Sequence, residues 1–203
     1  AERQLGATRG QLKVQDGCDF MCSFCIIPFA RGRSRHREFD NLCAEAEQQV
    51  ASGIQEIVLT GVNLGTYDFH GQNLVDIVDF LDSLKDLQRI RISSIEPTTV
   101  DPGLLERMGD QSHKLVPFLH LPVQSGSNQI LELMKRRYNA LDYAREVEEA
   151  ILKIPDLCVG ADVMVGFPGE GETEFTETLN LLANLPMGYL HVFPFSERAG
   201  TPA

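Results

Sequence analysis

Three cysteines, Cys18, Cys22 and Cys25, lie within eight consecutive residues in the pattern C-x3-C-x2-C. Thiolates are the ligands of iron–sulfur clusters and of many zinc sites, and both kinds of site usually have four protein ligands when they are closed. A set of three leaves one metal position open, and an open position is where a bound metal meets a reactant. The pattern therefore predicts a reactive metal centre, with zinc and an iron–sulfur cluster as the two candidates.

The composition is that of an ordinary globular protein. The chain has 203 residues, 43% of them hydrophobic, which is enough for one domain with a substantial core. No apolar stretch approaches the roughly 20 residues of a membrane helix, and the start lacks the apolar region of a secretory signal. Three of the five cysteines are clustered, which favours metal binding in a reducing compartment over a disulfide framework. We therefore predict a cytoplasmic protein.

The charge of the chain limits how it could bind nucleic acid. The net charge is -11, whereas a domain that binds nucleic acid through its own surface is usually basic. One dense basic run, with Arg31, Arg33, Arg35 and Arg37, follows the cysteines directly. It is either a solvated loop or a local contact for an anion at the mouth of the site. Tight binding of nucleic acid would then depend largely on other surfaces.

Six short runs rich in apolar and β-branched residues alternate with segments of helical periodicity. The predicted strands are Gln11–Gln15, Glu56–Thr60, Arg89–Ser94, Val116–Leu121, Val159–Val165 and Tyr189–Phe195. Alternation of this kind specifies an α/β fold with a parallel sheet. Because an eight-stranded barrel needs about 250 residues, we expect an open six-stranded partial barrel of (β/α)6 type, or else a doubly wound sheet.

Five helices are predicted between these strands. The first follows Asp40, a favoured N-cap residue, and stops near Gly53. The fourth covers residues 130–154 and is expected to break near Asn139. The other three are indicated by apolar stripes at Leu74–Leu84, Leu104–Met108 and Phe175–Leu185.

Polar residues and glycines follow the predicted strands, at the edge where parallel strands carry active sites. Besides the cysteines after the first strand, they are Gly61 and Asn63, Glu96, Gln124, Asp162 and the turn at residues 166–169. A purely structural domain gains nothing from bringing thiols, amides and carboxylates to one rim. The sequence therefore predicts one site shared by five loops.

Some of these residues also have purely structural interpretations. Gly61 is a plain turn former in that case, as most loop glycines are. His120 lies in an apolar strand, where a hydrogen-bonded core histidine is more common than a catalyst. Cys43 and Cys158 are predicted to be small core hydrophobes without a metal.

A series of motifs runs through residues 11–203 in a fixed order. QDGCDFMCSFCIIPFARGRSR is followed by LTGVNLG, HLPVQSGS, LMKRRY, DVMVGFPGE and FPFSERAGTPA. This series resembles the radical S-adenosylmethionine (SAM) superfamily, and within it the methylthiotransferases. The runs SSIEP and HVFPFSERAGTPA are most similar to the branch that modifies threonylcarbamoyladenosine in transfer RNA (tRNA). Other branches act on isopentenyladenosine in tRNA or on an aspartate of a ribosomal protein, and both stay open as alternatives.

The resemblance implies that Cys18, Cys22 and Cys25 hold three irons of a 4Fe–4S cluster, whose fourth iron binds SAM. Reductive cleavage of SAM would give methionine and a 5'-deoxyadenosyl radical, while the protein supplies positioning and tuning. The resemblance also implies contacts with SAM. At the methionine part they are Gly61 and Asn63 near the amino group and Arg136 at the carboxylate, with Glu96 and Gln124 at polar atoms of the methionine or ribose. At the adenosine part they are Phe24 beside the adenine and Asp162 with the turn 166–169.

The resemblance also implies a longer protein. Its family has an N-terminal domain with a second 4Fe–4S cluster and a small C-terminal RNA-binding domain, and neither is expected within this sequence. We interpret residues 1–10 as a linker remnant and residues 11–203 as the radical SAM core. The implied reaction is methylthiolation at C2 of the modified adenosine next to the anticodon. The implied partners are tRNA and an electron donor such as flavodoxin or ferredoxin.

Two other classes of protein compete with this interpretation. A non-catalytic metal-binding module would use the cysteines with a fourth ligand and would give a colourless zinc form. A phosphate-binding α/β enzyme is disfavoured, because the sequence lacks both G-x-x-x-x-G-K-[ST] and G-x-G-x-x-G. The core alone is expected to cleave SAM without completing the methylthiolation.

Overall fold

The computed structural model describes residues 8–203, so most of the predicted linker at residues 1–10 lies outside the described residues. The strands are β1 Arg9–Lys13, β2 Gln15–Asp16, β3 Arg35–His36, β4 Glu56–Thr60, β5 Asp68–Phe69, β6 Gln72–Asn73, β7 Arg89–Ile92, β8 Phe118–His120, β9 Cys158–Val165 and β10 Tyr189–Pro194. The α-helices are α1 Ile27–Arg31, α2 Phe39–Ala51, α3 Leu74–Ser83, α4 Pro102–Gly109, α5 Asn128–Leu133, α6 Ala140–Lys153 and α7 Glu172–Asn184. None of the helices within residues 8–203 has the length and apolar character to cross a membrane.

Six of the strands form two parallel sheets of three strands each. One sheet has the order β1-β4-β7, and the other has the order β8-β9-β10 with β9 in the middle. A parallel bridge between Ile90 and Leu115 links them, because the Ile90 N–H donates to the Lys114 carbonyl (2.8 Å) and the Val116 N–H to the Ile90 carbonyl (3.0 Å). The α/β class is therefore confirmed, whereas one continuous six-stranded sheet is not.

The interruption between the two sheets falls at β8, which is shorter than predicted. The sequence predicts a strand over Val116–Leu121, but the structure has one over Phe118–His120 alone. Pro117 and Pro122 flank this strand, and proline has no N–H to contribute to a ladder. The backbone carbonyl of Pro117 still accepts from the Cys158 N–H at 3.0 Å, which keeps β8 aligned with β9.

Capping side chains set the starts of two helices. At the start of α3 the Asn73 side chain accepts from backbone N–H groups, and the Asn73 N–H donates to Asp76 Oδ2 (2.7 Å). Asn139 and Asp142 form the same capping box at the start of α6. The predicted break near Asn139 is confirmed, because this residue separates α5 from α6.

The start of α2 differs from the prediction. The helix begins at Phe39, and its N-cap position is Glu38, whose side chain makes no capping hydrogen bond. The predicted N-cap, Asp40, lies instead in the first turn of the helix. A carboxylate is favourable there because the exposed N–H groups give a helix start a partial positive charge. The sequence alone did not distinguish an acidic residue at the N-cap from one in the first turn.

The main core lies between the two sheets and the helices that pack on them. Alternate residues of β9, Val159, Ala161 and Val163, are 0–2% exposed, since residues two apart in a strand point to the same face. Each large apolar side chain buried in this way contributes about 1.5–3 kcal/mol relative to an exposed one. The residues that alternate with them, including Asp162 and Met164, point to the opposite face. That face carries the candidate site.

Glu56, the first residue of β4, is a buried carboxylate at the amino-terminal edge of its sheet. Its side chain is 3% exposed and lies 3.1 Å from Arg9 Nε, 3.0 Å from Arg89 Nε and 3.1 Å from Arg91 Nε. Burial favours the neutral acid, but the hydrogen bonds from Arg89 and Arg91 outweigh it and hold the pKa of Glu56 below its ordinary value. These contacts join β1, β4 and β7.

We expect Glu56→Gln to lower the free energy of unfolding by about 2 kcal/mol near neutral pH, because it removes a buried partner of three partly exposed guanidinium groups. The pKa of Glu56 is lowered in the folded state. Its contribution is therefore complete above the unfolded-state pKa and is lost as the pH falls through the folded-state pKa. Urea denaturation of both proteins should show this difference shrinking in acid.

Glu149→Gln is the matched control, because the Glu149 side chain is 65% exposed. It should change the free energy of unfolding by less than about 0.5 kcal/mol. Equal losses in the two variants, or a difference that does not depend on pH, would show that the Glu56 ion pairs do not stabilise the sheet.

Candidate active site

The three clustered cysteines lie in the loop of residues 17–34, which we call the cysteine loop. An antiparallel pairing of β2 with β3 closes its base. Cys18 is buried, Cys22 and Cys25 are half-buried, and all three are free thiols. The Cys25 N–H donates to the Cys22 carbonyl at 3.1 Å, which turns the chain between these two cysteines. The cysteine loop follows the carboxyl end of β1, as the sequence predicts.

Gly17 allows the two ends of the cysteine loop to meet. Its φ is +72°, and a Cβ at this position would lie 2.1 Å from the Arg33 carbonyl oxygen. The Cys18 N–H donates to the Gly32 carbonyl at 3.2 Å. Because a side chain would collide with the backbone here, only glycine fits the first position of the loop.

Gln15 is a fully buried polar residue that connects the cysteine loop to the loop after β4. Its Nε2 donates to the Gly17 carbonyl (2.6 Å) and to Ser34 Oγ (2.8 Å). Its Oε1 accepts from the N–H groups of Val62 (2.9 Å) and Asn63 (3.0 Å). A carboxamide has two donors and two acceptor positions, so the bonding capacity of Gln15 is used completely.

Gly61 and Asn63 lie against the cysteine loop. A Cβ at Gly61 would lie 3.2 Å from the Gln15 carbonyl oxygen, so glycine permits this close approach. Asn63 is 5% exposed, and its side chain lies beside the Cys18 sulfur. Burial raises the pKa of the Cys18 thiol, while the N–H of Phe20, 3.3 Å from Sγ, and the Asn63 side chain oppose this shift. Metal ligation at Cys18 therefore has to displace a proton.

A buried arginine connects Cys22 to a carboxylate. Arg136 Nη1 lies 3.6 Å from Cys22 Sγ, and Arg136 Nη2 lies 2.7 Å from Glu96 Oε2. The side chains of Arg136 and Glu96 are 5% and 13% exposed. Arg136 also donates to the Tyr138 hydroxyl at 2.8 and 3.0 Å.

The charges around Arg136 keep it protonated despite its burial. Burial favours the neutral form, but Tyr138, Glu96 and Cys22 outweigh it and raise the pKa of Arg136 above its ordinary value. Burial also raises the pKa of Glu96, while the charge of Arg136 opposes that shift. A fixed positive charge is therefore present beside the thiols.

Gln124 has a backbone conformation that few non-glycine residues adopt, with a φ of +68°. The residue is 7% exposed, and its side-chain Oε1 is buried without a hydrogen-bond partner among the described residues. Its own N–H donates to the Asp162 carbonyl at 2.9 Å, which fixes the backbone. A strained backbone and an unpaired buried acceptor both cost free energy. A ligand that donates to Oε1 would complete this position.

Phe24 and the turn 166–169 were predicted separately from the sequence, and the structure brings them together. The Phe24 ring packs edge-on against Phe167 with 6.4 Å between the ring centroids, and Phe167 packs against Phe195 at 5.4 Å. Gly166 and Gly169, with φ of +74° and +95°, allow the tight turn that presents Phe167. An apolar aromatic wall therefore borders the cysteine loop.

Asp162 lies on the inner face of β9 and contacts two histidines. Its Oδ1 is 3.1 Å from His120 Nε2 and 3.3 Å from His191 Nδ1. The hydrogen bond from His120 lowers the pKa of Asp162, while burial opposes that shift. His120 is 7% exposed and also bonds to the Tyr189 hydroxyl at 2.9 Å, so it is buried and hydrogen-bonded as the sequence predicts.

The other two cysteines do not belong to the cysteine loop. Cys43 lies on α2, and burial raises the pKa of its thiol to about 11. Cys158 is the first residue of β9, at the amino-terminal edge of its sheet. Both are half-buried free thiols, so they are less enclosed than the core positions that the sequence predicts.

Each of the four arginines of the basic run forms an ion pair with a nearby carboxylate. Surface pairs of this kind contribute about 0–1 kcal/mol, so they exchange readily for another anion. Three of these carboxylate contacts lie within or at the base of the cysteine loop. The pairs are Arg31–Asp16, Arg33–Asp19, Arg35–Asp16 and Arg37–Glu45, with N–O distances of 3.2, 3.3, 3.6 and 2.8 Å.

The donor set fits an iron–sulfur cluster with a bound ligand. Cys18, Cys22 and Cys25 are free thiols in one loop, and thiolates are the ligands of such clusters. Three thiols are one fewer than a closed four-ligand site uses, and the unpaired Gln124 Oε1 is an acceptor for a ligand at the open position.

Sequence reasoning missed three residues of this site: Gln15, Tyr138 and His191. Gln15 carried a signal, because a polar residue directly after the apolar pair Leu12 and Val14 is unusual at the end of a buried strand. Tyr138 and His191 lie within the runs LMKRRY and HVFPFSERAGTPA, but tyrosine and histidine are common in half-buried positions, so these runs assigned them no role. Their importance comes from contacts between segments far apart in the chain.

Residues 12–182 match the profile of the Radical SAM superfamily. The chain belongs to this superfamily, so the sequence-based resemblance is confirmed, and with it an enzyme family that uses a 4Fe–4S cluster and SAM. The threonylcarbamoyladenosine tRNA methylthiotransferase MtaB of Bacillus subtilis (strain 168) is 44% identical over 199 residues, which cover 97% of this chain and 44% of that protein. A tRNA-2-methylthio-N(6)-dimethylallyladenosine synthase of Cereibacter sphaeroides (strain ATCC 17029) is 40% identical and covers 97% of this chain and 46% of its own length.

The fold is also similar to that of a solved radical SAM enzyme. TsrM, a radical S-adenosylmethionine methyltransferase from Kitasatospora setae, superposes with a TM-score of 0.78 at 19% identity, covering 95% of this chain and 38% of TsrM. That structure contains cobalamin and a [4Fe-4S] cluster. At this level of identity the similarity establishes the fold alone. The chain spans less than half the length of each of the two curated relatives that it matches.

We expect Gln15→Met to loosen the cysteine loop, because it leaves the N–H groups of Val62 and Asn63 and the Gly17 carbonyl without partners. The free energy of unfolding should fall by about 2–3 kcal/mol. Amide hydrogen exchange should accelerate at residues 17–34 and 62–63 more than in the core strands. Hydrogen exchange read by mass spectrometry measures both regions in one experiment.

Gln88→Met is the control for this change, because Gln88 is exposed in the loop before β7. It should leave exchange in the cysteine loop unchanged. If Gln15→Met produced uniform acceleration over the whole chain, Gln15 would be a general packing residue and not a clamp for this loop.

Proposed function

We propose that this chain is the radical SAM core of a tRNA methylthiotransferase. The main support is the set of three free thiols in one loop at the carboxyl edge of a parallel sheet. The chain that carries them is 44% identical to a tRNA methylthiotransferase. When bound, the cluster supplies the electron that cleaves SAM into methionine and a 5'-deoxyadenosyl radical. The chain's own residues bind and orient the two cofactors.

Cys18, Cys22 and Cys25 are the proposed cluster ligands. Support comes from their free thiols and from Arg136, whose Nη1 lies 3.6 Å from Cys22 Sγ. Because Gln15 fixes the base of the cysteine loop, these ligands are held in place before a cluster binds. Preorganised ligands reduce the free energy spent on ordering the loop.

The proposed SAM contacts lie around the cysteine loop. Gln124 Oε1 needs a donor, and the amino group or a ribose hydroxyl of SAM would provide one. Asp162 uses Oδ1 for its two histidines, which leaves Oδ2 for a ribose hydroxyl. Phe24 is proposed at the adenine and the turn 166–169 on the adenosine side, with Gly61 and Asn63 at the amino group. Glu96 is proposed at polar atoms of the methionine or ribose, and Arg136 at the methionine carboxylate.

We propose that the two sheets are halves of one six-stranded partial barrel. The Ile90–Leu115 bridge supports this arrangement, as does the hydrogen bond from the Ile95 N–H to the His120 carbonyl (3.1 Å). In such a barrel the loops after all six strands border one cavity. The polar residues predicted from the sequence lie within or after five of those strands.

The complete enzyme is proposed to methylthiolate C2 of threonylcarbamoyladenosine in tRNA. The 44% identity to a threonylcarbamoyladenosine tRNA methylthiotransferase supports this substrate, and the 40% identity to a tRNA-2-methylthio-N(6)-dimethylallyladenosine synthase keeps the related tRNA base as the alternative. The proposal includes a domain with a second cluster, an RNA-binding domain, an electron donor such as flavodoxin or ferredoxin, and a cytoplasmic location. A base has to be unstacked to be modified, so tRNA would present it in an exposed loop.

Anaerobic reconstitution with iron and sulfide, followed by reduction in the presence of SAM, tests the core chemistry. We expect a brown protein and 5'-deoxyadenosine measured by mass spectrometry. Cys22→Ala should abolish the nucleoside, because it removes one of three cluster ligands. Cys43→Ala should leave it unchanged, because Cys43 lies on α2 outside the cysteine loop. A colourless protein that binds zinc and forms no 5'-deoxyadenosine would establish the metal-binding module instead.

Substitutions in the basic run test the proposed tRNA contact, with binding measured in the full-length enzyme. Replacing Arg33 and Arg35 with alanine should weaken tRNA binding and reduce the slope of log K against log salt by about 1 to 2, because each arginine lost removes a phosphate contact. Lys85→Ala is the control, since Lys85 is exposed in the loop before β7 at the opposite edge of the sheet. Unchanged affinity and slope in the double variant would remove the basic run from the tRNA interface.

A further inference from the structure

A group of three potential metal ligands lies on the inner face of the β8-β9-β10 sheet. His120 Nε2, Asp162 Oδ1 and one ring nitrogen of His191 all lie within 4.8 Å of one another. The three residues come from three adjacent parallel strands, and His191 is the direct register partner of Asp162. Two imidazoles and one carboxylate form the ligand set of many mononuclear zinc and iron sites. The cysteine loop contributes no ligand to this group.

Two distances within the group are close to the edges of a coordination polyhedron. His120 Nε2 is 3.1 Å from Asp162 Oδ1, and His191 Nδ1 is 3.3 Å from the same oxygen. Ligand atoms bound at about 2.0–2.2 Å to one tetrahedral zinc are separated by roughly 3.3–3.6 Å. An ion can therefore bind all three atoms with small movements of the side chains.

A second residue fixes the orientation of His120. The Tyr189 hydroxyl lies 2.9 Å from His120 Nδ1, and the two rings have their centroids 5.8 Å apart. With a metal on Nε2, the remaining ring proton is on Nδ1 and is donated to this hydroxyl. Hydrogen bonds to the second ring nitrogen are typical of metal-bound histidines and fix their tautomer.

The group combines an enclosed side with an open side. The His120 side chain is 8% exposed, whereas those of Asp162 and His191 are 28% and 64% exposed. An ion therefore has a path from solvent, and three protein ligands leave coordination positions for water or a substrate oxygen. Imidazole ligands favour zinc and other first-row transition metals over magnesium and calcium.

We propose that His120, Asp162 and His191 form a second metal site of this chain, which binds one divalent transition-metal ion of the zinc type. The ion binds Asp162 through Oδ1, and Oδ2 stays available to other groups. The site is independent of the cluster ligands, so its presence does not depend on the proposed function of the cysteine loop.

The test is equilibrium dialysis of the cluster-loaded chain against micromolar Zn²⁺, with zinc and iron counted by mass spectrometry. We expect one zinc per chain in the wild type and none above background in His191→Ala. Tyr189→Phe should weaken zinc binding about 10–100-fold, as the loss of a partner of a metal-bound histidine does. The iron content reports whether each variant keeps its fold and cluster.

His70→Ala is the matched control, because His70 is exposed in the turn between β5 and β6. It should bind zinc as the wild type does. Zinc X-ray absorption should show nitrogen and oxygen neighbours without sulfur. A sulfur shell at about 2.3 Å would place the zinc on the cysteines. That result would overturn the proposal, as would wild-type protein without zinc or His191→Ala with the same amount as the wild type.

Discussion

The buried carboxamide of Gln15 is the contact on which the geometry of the candidate site depends. The cysteine loop has little core of its own, since none of the residues of α1 is buried. Its position is therefore set by hydrogen bonds, and Gln15 joins the base of the loop to the backbone after β4. On its other side Ser23 donates to the carbonyls of Leu133 (2.7 Å) and Met134 (3.0 Å). Together with the packing of Phe24 against Phe167, these contacts on two sides place the three thiols.

The electrostatics of the site follow from the same enclosure. A buried arginine is costly unless it is paired, and Arg136 has both Glu96 and the Tyr138 hydroxyl as partners. Replacing this group with apolar residues would be favourable for packing alone, so a buried charge beside thiols is better explained by a ligand that needs it. This positive charge lies between the Glu96 carboxylate and the Cys22 sulfur, so both contacts are with groups that can carry negative charge.

The sequence predicted the elements of the fold well and their contacts poorly. The parallel α/β class, the break at Asn139 and the placement of the cysteines after β1 all follow from local patterns, namely periodicity, capping residues and spacing. The short β8 was not predicted, because apolar composition outweighed the missing N–H groups of Pro117 and Pro122. Gln15 and His191 could not be assigned roles, because their partners lie 48 and 29 residues away in the chain. Contacts of that separation depend on how the sheets come together.

The two halves of the site lie on different sheets, and the Arg136–Glu96 pair crosses between them. Glu96 follows β7 in the first sheet, whereas Arg136 follows α5 and contacts the segment after β8 through Tyr138. Among the described residues, the backbone connection at this boundary consists of the Ile90–Leu115 bridge and the hydrogen bond from the Ile95 N–H to the His120 carbonyl, in place of a ladder. Side chains therefore contribute more to holding the boundary here than they would within a continuous sheet. Arg136 also contacts Cys22. The Arg136–Glu96 pair therefore both joins the two sheets and contributes the charge beside the thiols.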